Sequence, residues 1–252
     1  MNLKFSVITV VYNAESVIQK TIDSVLSQDE SPFEYIIVDG LSSDNTLNII
    51  RSYKAAFEKK GIRFILISEK DTGIYNAMNK GIDIAEGDFI SFLNAGDWYE
   101  LDALKNIDKF YKEGSFELTY GGLHYINPNG SVINKMSKMD KFWISSRNWN
   151  HPSMFLKREI YQKYKFDEQI RTYADFDLYL KLRKRNIKIK VIDKIIANFV
   201  ADGVSTNVNL KKVLLRAKEK YNSYRNNKYS RLYFIEAYGW EICKALYFKI
   251  RS

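Results

Sequence analysis

Four short apolar runs in the first hundred residues, at 5–11, 35–38, 63–67 and 88–93, each lead directly into a polar or acidic cluster. The clusters are Thr9-Val10-Val11-Tyr12-Asn13, Asp39-Gly40-Leu41-Ser42-Ser43-Asp44, Glu69-Lys70-Asp71 and Asn94-Ala95-Gly96-Asp97. Between the runs lie segments of helical character at 15–28, 44–59 and 73–85. Alternation of strand and helix predicts crossover connections and a parallel sheet. In such a sheet the carboxyl ends of the strands share one edge, and ligands bind there. The four clusters are therefore expected to converge on one crevice.

The chain has 252 residues, 46% of them hydrophobic, enough for a sizeable core in one large domain or two small ones. Three prolines and twelve glycines leave little room for a linker. The single cysteine, Cys243, excludes an internal disulfide framework, and its helical context predicts buried packing. The first residues run straight into a strand with no signal pattern, and no uncharged apolar stretch reaches the roughly 20 residues that cross a bilayer. A cytoplasmic protein is expected. Charge is concentrated at one end: residues 209–252 hold 11 Lys and Arg against 3 Glu, so they carry +8 of the total +9. Nine aromatics share that tail, from Tyr221 to Phe248. The mixture predicts an anionic partner, and rings among cations suit the headgroup level of a membrane's inner face better than nucleic acid. The competing expectation is a helix packed on the body with snorkelling cations, because Arg231, Glu236, Glu241, Lys244 and Lys249 fall all round the helix.

Several chemistries are excluded at the strand ends. No glycine-rich dinucleotide fingerprint follows the first strand, no phosphate-binding P-loop occurs, and no His/Cys cluster has zinc spacing. Carboxylate, hydroxyl and amide groups stand there instead. Asp39, closing the second strand, is placed to accept hydrogen bonds from a base or ribose. Ser42, Ser43 and Asp44 suit the same crevice or the cap of the next helix. Asp97 follows the very apolar 89–93 strand and is the candidate ligand for a hard divalent cation, which neutralises charge on a leaving diphosphate; the alternative is a cap on the helix beginning near Glu100.

The run Ser6-Val7-Ile8-Thr9-Val10-Val11-Tyr12-Asn13 resembles the opening of family 2 glycosyltransferases, which have the GT-A fold. The resemblance continues through Ile37-Val38-Asp39-Gly40-Leu41-Ser42-Ser43-Asp44-Asn45-Thr46, then from Glu69 through Asp71-Thr72-Gly73-Ile74-Tyr75 to Lys80-Gly81, and on to Leu93-Asn94-Ala95-Gly96-Asp97. It implies an α/β fold with a Rossmann-like nucleotide-binding half, a mixed central sheet and a basic C-terminal helical tail. It also implies a nucleotide-sugar donor bound by Thr9, Val11, Tyr12, Asn13, Asp39, Ser42, Asp71, Lys80, Asn94 and Ala95, with Asp39 at the base, Asp71 and Lys80 near ribose and diphosphate, and Asp97 at Mg²⁺ or Mn²⁺. Two departures stand out. Asn94 and Gly96 occupy places where the metal motif usually carries carboxylates, so the diphosphate is expected to supply further ligands. Met78 stands where many relatives have arginine, which passes a phosphate contact to Lys80.

The second half resembles the family more sparsely. Asn150-His151-Pro152-Ser153-Met154-Phe155 is similar to a segment lining the acceptor side, and Thr172-Tyr173-Ala174-Asp175-Phe176-Asp177 to the segment holding the catalytic base. An acceptor hydroxyl needs a carboxylate to take its proton during attack. Motif position gives Asp175 that role, with Asp177 as rival; His151 and Asp177 are expected on the acceptor side, and only one of the two aspartates can face the crevice. Asp202-Gly203-Val204-Ser205-Thr206 resembles a loop that closes over the donor. The expected division is a GT-A domain at 1–207, nucleotide-sugar half to 98 and acceptor half after it, then the tail at 208–252. The expected activity is inverting, metal-dependent transfer of a hexosyl or N-acetylhexosaminyl unit from a nucleotide-sugar, UDP foremost, to a saccharide or lipid-linked saccharide of a surface glycan. The alternatives are a nucleotidyltransferase, which the 11–14 loop does not suit, and a catalytically silent nucleotide- or glycan-binding module.

Overall fold

The computed structural model describes residues 2–201 and 209–251. Its sheet is built outward from β1 (Phe5–Val11), a strand with no exposed side chain. A strand covered on both faces reads as an unbroken apolar run. β2 (Glu34–Asp39) and β4 (Phe89–Phe92) flank it in parallel, and β3 (Arg63–Ser68) lies parallel beyond β2. Successive side chains of β1 feed two different layers. Ile8 and Val10 pack with Ala77, Met78 and Ile82 of α4 (Ile74–Ile84). Phe5, Val7 and Val11 pack with Ile18, Ile22 and Val25 of α1 (Ile18–Leu26). The predicted helix at 44–59 is divided at Tyr53 into α2 (Thr46–Ser52) and α3 (Lys54–Lys59).

Beyond β4 the sheet becomes mixed. β8 (Met154–Lys157) runs antiparallel to β4, β6 (Leu118–Ile126) antiparallel to β8, and β9 (Ile189–Val200) parallel to β6. β5 (Trp98–Tyr99) closes the order β3-β2-β1-β4-β8-β6-β9-β5, and β7 (Val132–Lys135) folds back on β6. β6 and β9 slip register around Gly121 and Gly122, where a Cβ on Gly121 would stand 2.6 Å from Ile196 Cγ1. α5 (Ala103–Glu113), α6 (Arg158–Lys163) and α7 (Ala174–Arg183) cover this half.

The tail forms α8 (Leu210–Asn226) and α9 (Tyr233–Arg251). Asn209 Oδ1 caps α8 by accepting from the Lys211 and Lys212 amides. Tyr224 is fully buried, stacked on Tyr233 at 4.2 Å between centroids and edge-on to Phe176 of α7 at 5.5 Å. The ion pairs Arg216–Glu241 (2.8 Å) and Lys220–Glu236 (3.4 Å) cross between the two helices inside this packing. Charges all round the helix thus have a structural reason, since part of them point inward and pair. Leu232, Phe234, Ile235 and Leu246 remain exposed. Cys243, expected in a buried face, is exposed, because α9 turns that side to solvent along with Ile242. Among the described residues no helix is long and apolar enough to cross a membrane.

Candidate active site

The loop after β2 is organised around the carboxylate of Asp39, which is fully buried. It accepts from the amides of Leu41 and Ser42 (3.1 Å each), from Ser68 Oγ (2.7 Å) and from Ser42 Oγ. Ser42 in turn accepts from the Asn13 amide (2.8 Å), and Asn13 Oδ1 accepts from the Ser43 amide (2.8 Å). Asn13 takes φ 47°, a left-handed conformation that asparagine tolerates. Asp39, Ser42 and Asn13 therefore lock the β1 and β2 loops together. Neither serine caps α2; Asp44 instead bridges the amides of Thr46 (3.0 Å) and Glu15 (3.1 Å). Val11 ends β1 opposite Asp39, and Tyr12, 64% exposed, projects at the mouth.

Asp71 reaches this loop from the end of β3. Its carboxylate lies so close to Gly40 that a Cβ there would meet Asp71 Oδ2 at 2.5 Å. Glycine at 40 is thus a condition for the Asp71 carboxylate to approach the loop after β2. Lys80 does not reach freely into the crevice. Its ammonium bonds Glu69 (2.7 Å) and the Lys70 carbonyl (2.9 Å), bracing the loop that carries Asp71. Met78 is buried in the core, so its side chain contributes nothing at the surface of the site. Thr9 also lies off the crevice. It is fully buried, with its hydroxyl held between Tyr35 Oη (2.9 Å) and the Leu93 carbonyl (2.8 Å).

The turn after β4 holds Asn94, Ala95 and Asp97. Gly96 within it has φ 98°, a conformation that strains a residue with a side chain and gives a local reason for glycine where the related motif has carboxylate. Asp97 is 5% exposed and accepts from the Val200 amide of β9 at 3.1 Å rather than capping α5, whose N-cap is Asp102. Asn94 Oδ1 is buried with no hydrogen-bond partner among the described residues. Asp97 and Asn94 are hard oxygen donors of the kind Mg²⁺ and Mn²⁺ prefer. Among the described residues, no group of three acid, histidine or cysteine side chains could hold an ion unaided. The residues present fit a cation whose remaining ligands come from the bound substrate.

Across the crevice, α7 opens with Asp175. Its Oδ1 accepts from Tyr75 Oη (3.1 Å) and the Phe176 amide (2.8 Å), and its Oδ2 lies 3.6 Å from His151 Nδ1. Tyr75, on α4 from the nucleotide half, also donates to the Thr172 carbonyl (2.8 Å) and so ties the halves at the carboxylate. The sequence reading missed this residue, although it sits inside the Thr72–Lys80 motif. His151 is 8% exposed, stacked on Phe92 and tilted against Trp149, with Nε2 unpartnered among the described residues. Burial pushes the imidazole below its usual range against the pull of Asp175, so it is neutral at pH 7. Asp177 faces the other way. It is buried against α8, where it accepts from Asn227 Nδ2 (2.8 Å), and desolvation raises its pKa. Its expected place on the acceptor side is corrected on that ground: two residues along a helix turn the side chain by about 200°. The 202–206 loop lies outside the described residues.

Residues 6–183 match the family described as glycosyl transferase family 2. The chain belongs to that family. An uncharacterized glycosyltransferase of Methanocaldococcus jannaschii is 26% identical over 208 residues, 77% of this chain and 69% of its own length. A PGL/p-HBAD biosynthesis glycosyltransferase of Mycobacterium bovis is 31% identical over 183 residues, 70% of this chain and 68% of the relative. The hyaluronan synthase of Pasteurella multocida is 29% identical over 83% of this chain, which spans only 21% of that much longer protein. Among solved structures, S. aureus TarS 1-349 in complex with UDP superposes with a TM-score of 0.63 at 21% identity, over 95% of this chain and 71% of TarS 1-349. The mannosyltransferase PcManGT of Pyrobaculum calidifontis, in complex with GDP-Man and Mn²⁺, gives 0.67 at 15% identity, over 98% and 74%. The fold is therefore GT-A, and the family 2 chain is a glycosyltransferase.

Proposed function

We propose that this family 2 enzyme transfers a hexosyl or N-acetylhexosaminyl unit, with inversion, from a nucleotide-sugar to a hydroxyl of a saccharide or lipid-linked saccharide in surface glycan assembly. The observation that carries the reading is the setting of Asp175. Tyr75 and the Phe176 amide hold Oδ1, while Oδ2 makes no hydrogen bond among the described residues. That oxygen is the one left to take a proton from an attacking hydroxyl. The neutral His151 beside it leaves the carboxylate without a fixed counter-ion.

The donor would enter opposite, over Val11, Tyr12 and Ala95, with Asp71 toward the ribose and the loops braced by Asp39 and Lys80. Asp97, with Asn94, would hold Mg²⁺ or Mn²⁺, which supplies neutralising charge to a departing diphosphate. The UDP complex of TarS and the GDP-Man and Mn²⁺ complex of PcManGT support a nucleotide-diphosphate donor and a metal, with UDP the first candidate. The tail adds a place at the membrane: Leu232, Phe234 and Ile235 are exposed beside the cations of residues 209–231, a combination that favours peripheral contact with an anionic surface.

The test is calorimetric titration of UDP and GDP with and without Mn²⁺, on wild type and Asp97→Ala. Metal-dependent binding of one nucleotide, lost in the variant, is expected. Binding of neither nucleotide would replace this reading with a silent glycan-binding module.

A further inference from the structure

Asp175 is the second residue of α7, and the residues leading into that helix are held from elsewhere in the chain. The N-cap, Tyr173, makes no side-chain cap. The amides of Arg171 and Thr172 donate instead to the two oxygens of Glu219 on α8, at 3.4 and 3.0 Å. On its other side Thr172 offers its carbonyl to Tyr75 Oη (2.8 Å), the hydroxyl that also contacts Asp175 Oδ1 (3.1 Å). Thr172 is therefore gripped at both ends, and a shift of its peptide moves the hydroxyl that holds the base. Tyr173 reaches the tail as well, donating from Oη to Glu241 Oε1 of α9 (2.5 Å).

α8 is itself seated in the core. Tyr224 is fully buried against Phe176 and Tyr233, and the pairs Lys220–Glu236 (3.4 Å) and Arg216–Glu241 (2.8 Å) join α8 to α9. Asn227, the C-cap of α8, donates from Nδ2 to Asp177 Oδ1 (2.8 Å). One helix thus holds the chain just before and just after Asp175. A carboxylate accepting from amides makes a charge-assisted contact, roughly twice as strong as a neutral one. Reacting groups tolerate little displacement, since about 1 Å can cost roughly 10²-fold in rate. Both tail helices lie beyond residues 6–183, the span that matches the family, so this bracing comes from outside the matched region.

We infer that Glu219 and Tyr173 are positioning residues for the reaction: through Thr172 and the Tyr75 hydroxyl, and through Glu241, the two tail helices set where the open oxygen of Asp175 stands. The inference rests on the proposed role of Asp175 as base. The Glu219 side chain bonds only the Arg171 and Thr172 amides among the described residues, so it bears on proton removal and not on the donor loops.

Two measurements on the full chain test it. Release of nucleoside diphosphate from UDP-glucose, UDP-N-acetylglucosamine and GDP-mannose, with Mn²⁺ and with water as acceptor, gives the rate. Hydrogen–deuterium exchange of the amides at 169–176 reports the hold on the segment without any substrate. Glu219→Ala should lower kcat by roughly 10–100-fold with donor KM unchanged. It should also speed exchange at 169–176 while β1 and β2 stay protected. Glu219→Gln keeps an acceptor for the Thr172 amide and should restore most of both. Tyr173→Phe retains the ring beside Phe176 and should lower kcat in the same way by a smaller factor. Asn222→Ala, exposed on α8, should behave as wild type. Unchanged exchange in Glu219→Ala, a kcat equal to wild type, or a raised donor KM in place of a lowered kcat overturns the inference. A wild type that releases nucleotide from none of the three donors strikes the glycosyl-transfer reading instead. Exchange then decides alone: faster exchange in Glu219→Ala upholds the tail's hold on residues 171–175, and unchanged exchange overturns it.

Discussion

At the scale of single residues, the site is a set of polar groups whose partners decide their roles. Asp175 keeps one oxygen engaged and one open. Asp175→Asn should therefore lower kcat by roughly 10²–10⁴-fold, the usual worth of a general base, with the KM for donor little changed in steady-state assays. Tyr75→Phe should cut kcat by a smaller factor, again with donor KM preserved, because it frees the carboxylate without touching the donor loops. His151 carries a pH signature. Its folded-state pKa lies below the ordinary value of 6.5, so the unfolded chain binds the proton more readily. Stability is thus fully present above pH 6.5 and is lost as pH falls below it. Urea midpoints at pH 7 and pH 5 should show a larger acid loss for wild type than for His151→Asn; equal losses would mean the imidazole charges freely in the fold.

Elements meet at this site through side chains that belong to one helix and serve another segment. Asn79 of α4 is buried; its Nδ2 donates to the Phe166 carbonyl (3.0 Å) and Glu168 Oε1 (2.8 Å), and its Oδ1 accepts from the Phe166 amide (3.0 Å). Asn76 donates to the other oxygen of Glu168 (2.9 Å). α4 thereby fixes the approach to α7 and the height of Asp175. Asn79→Ala would leave the Phe166 backbone pair buried and unpartnered, at about 1–3 kcal/mol. Equilibrium denaturation should report that loss, and activity should fall with it. The strands themselves were legible from sequence: β1 begins and ends where its apolar run does, and β2, β3 and β4 lie within a residue or two of theirs. Apolar runs report burial directly, which is why. The side-chain assignments at the strand ends were less legible. Lys80 on α4 and Asp39 at the end of β2 are each spent on the geometry of neighbouring loops, through partners that include the Lys70 carbonyl, 10 residues away, and Ser68, 29 residues away.

Across the whole molecule, the tail is joined to the core rather than appended. Tyr224 and Tyr233 belong to the same buried cluster as Phe176, Leu178 and Leu180 of α7. Removing residues 209–252 would uncover that aromatic face and leave Asp177 without Asn227. A truncated chain should aggregate or melt well below the full one in a thermal scan; an unchanged melting temperature would show that the 1–207 portion folds alone. What sequence determined was the parallel half, the edge on which its clusters meet, and Asp175 as the acid at the head of α7, because periodicity and spacing are local properties of a chain. Tertiary structure alone decided that Asp177 turns to α8 and that Tyr75 crosses the crevice to Asp175. Those outcomes depend on which distant groups fold together, since burial and charge pairing act through space rather than along the chain.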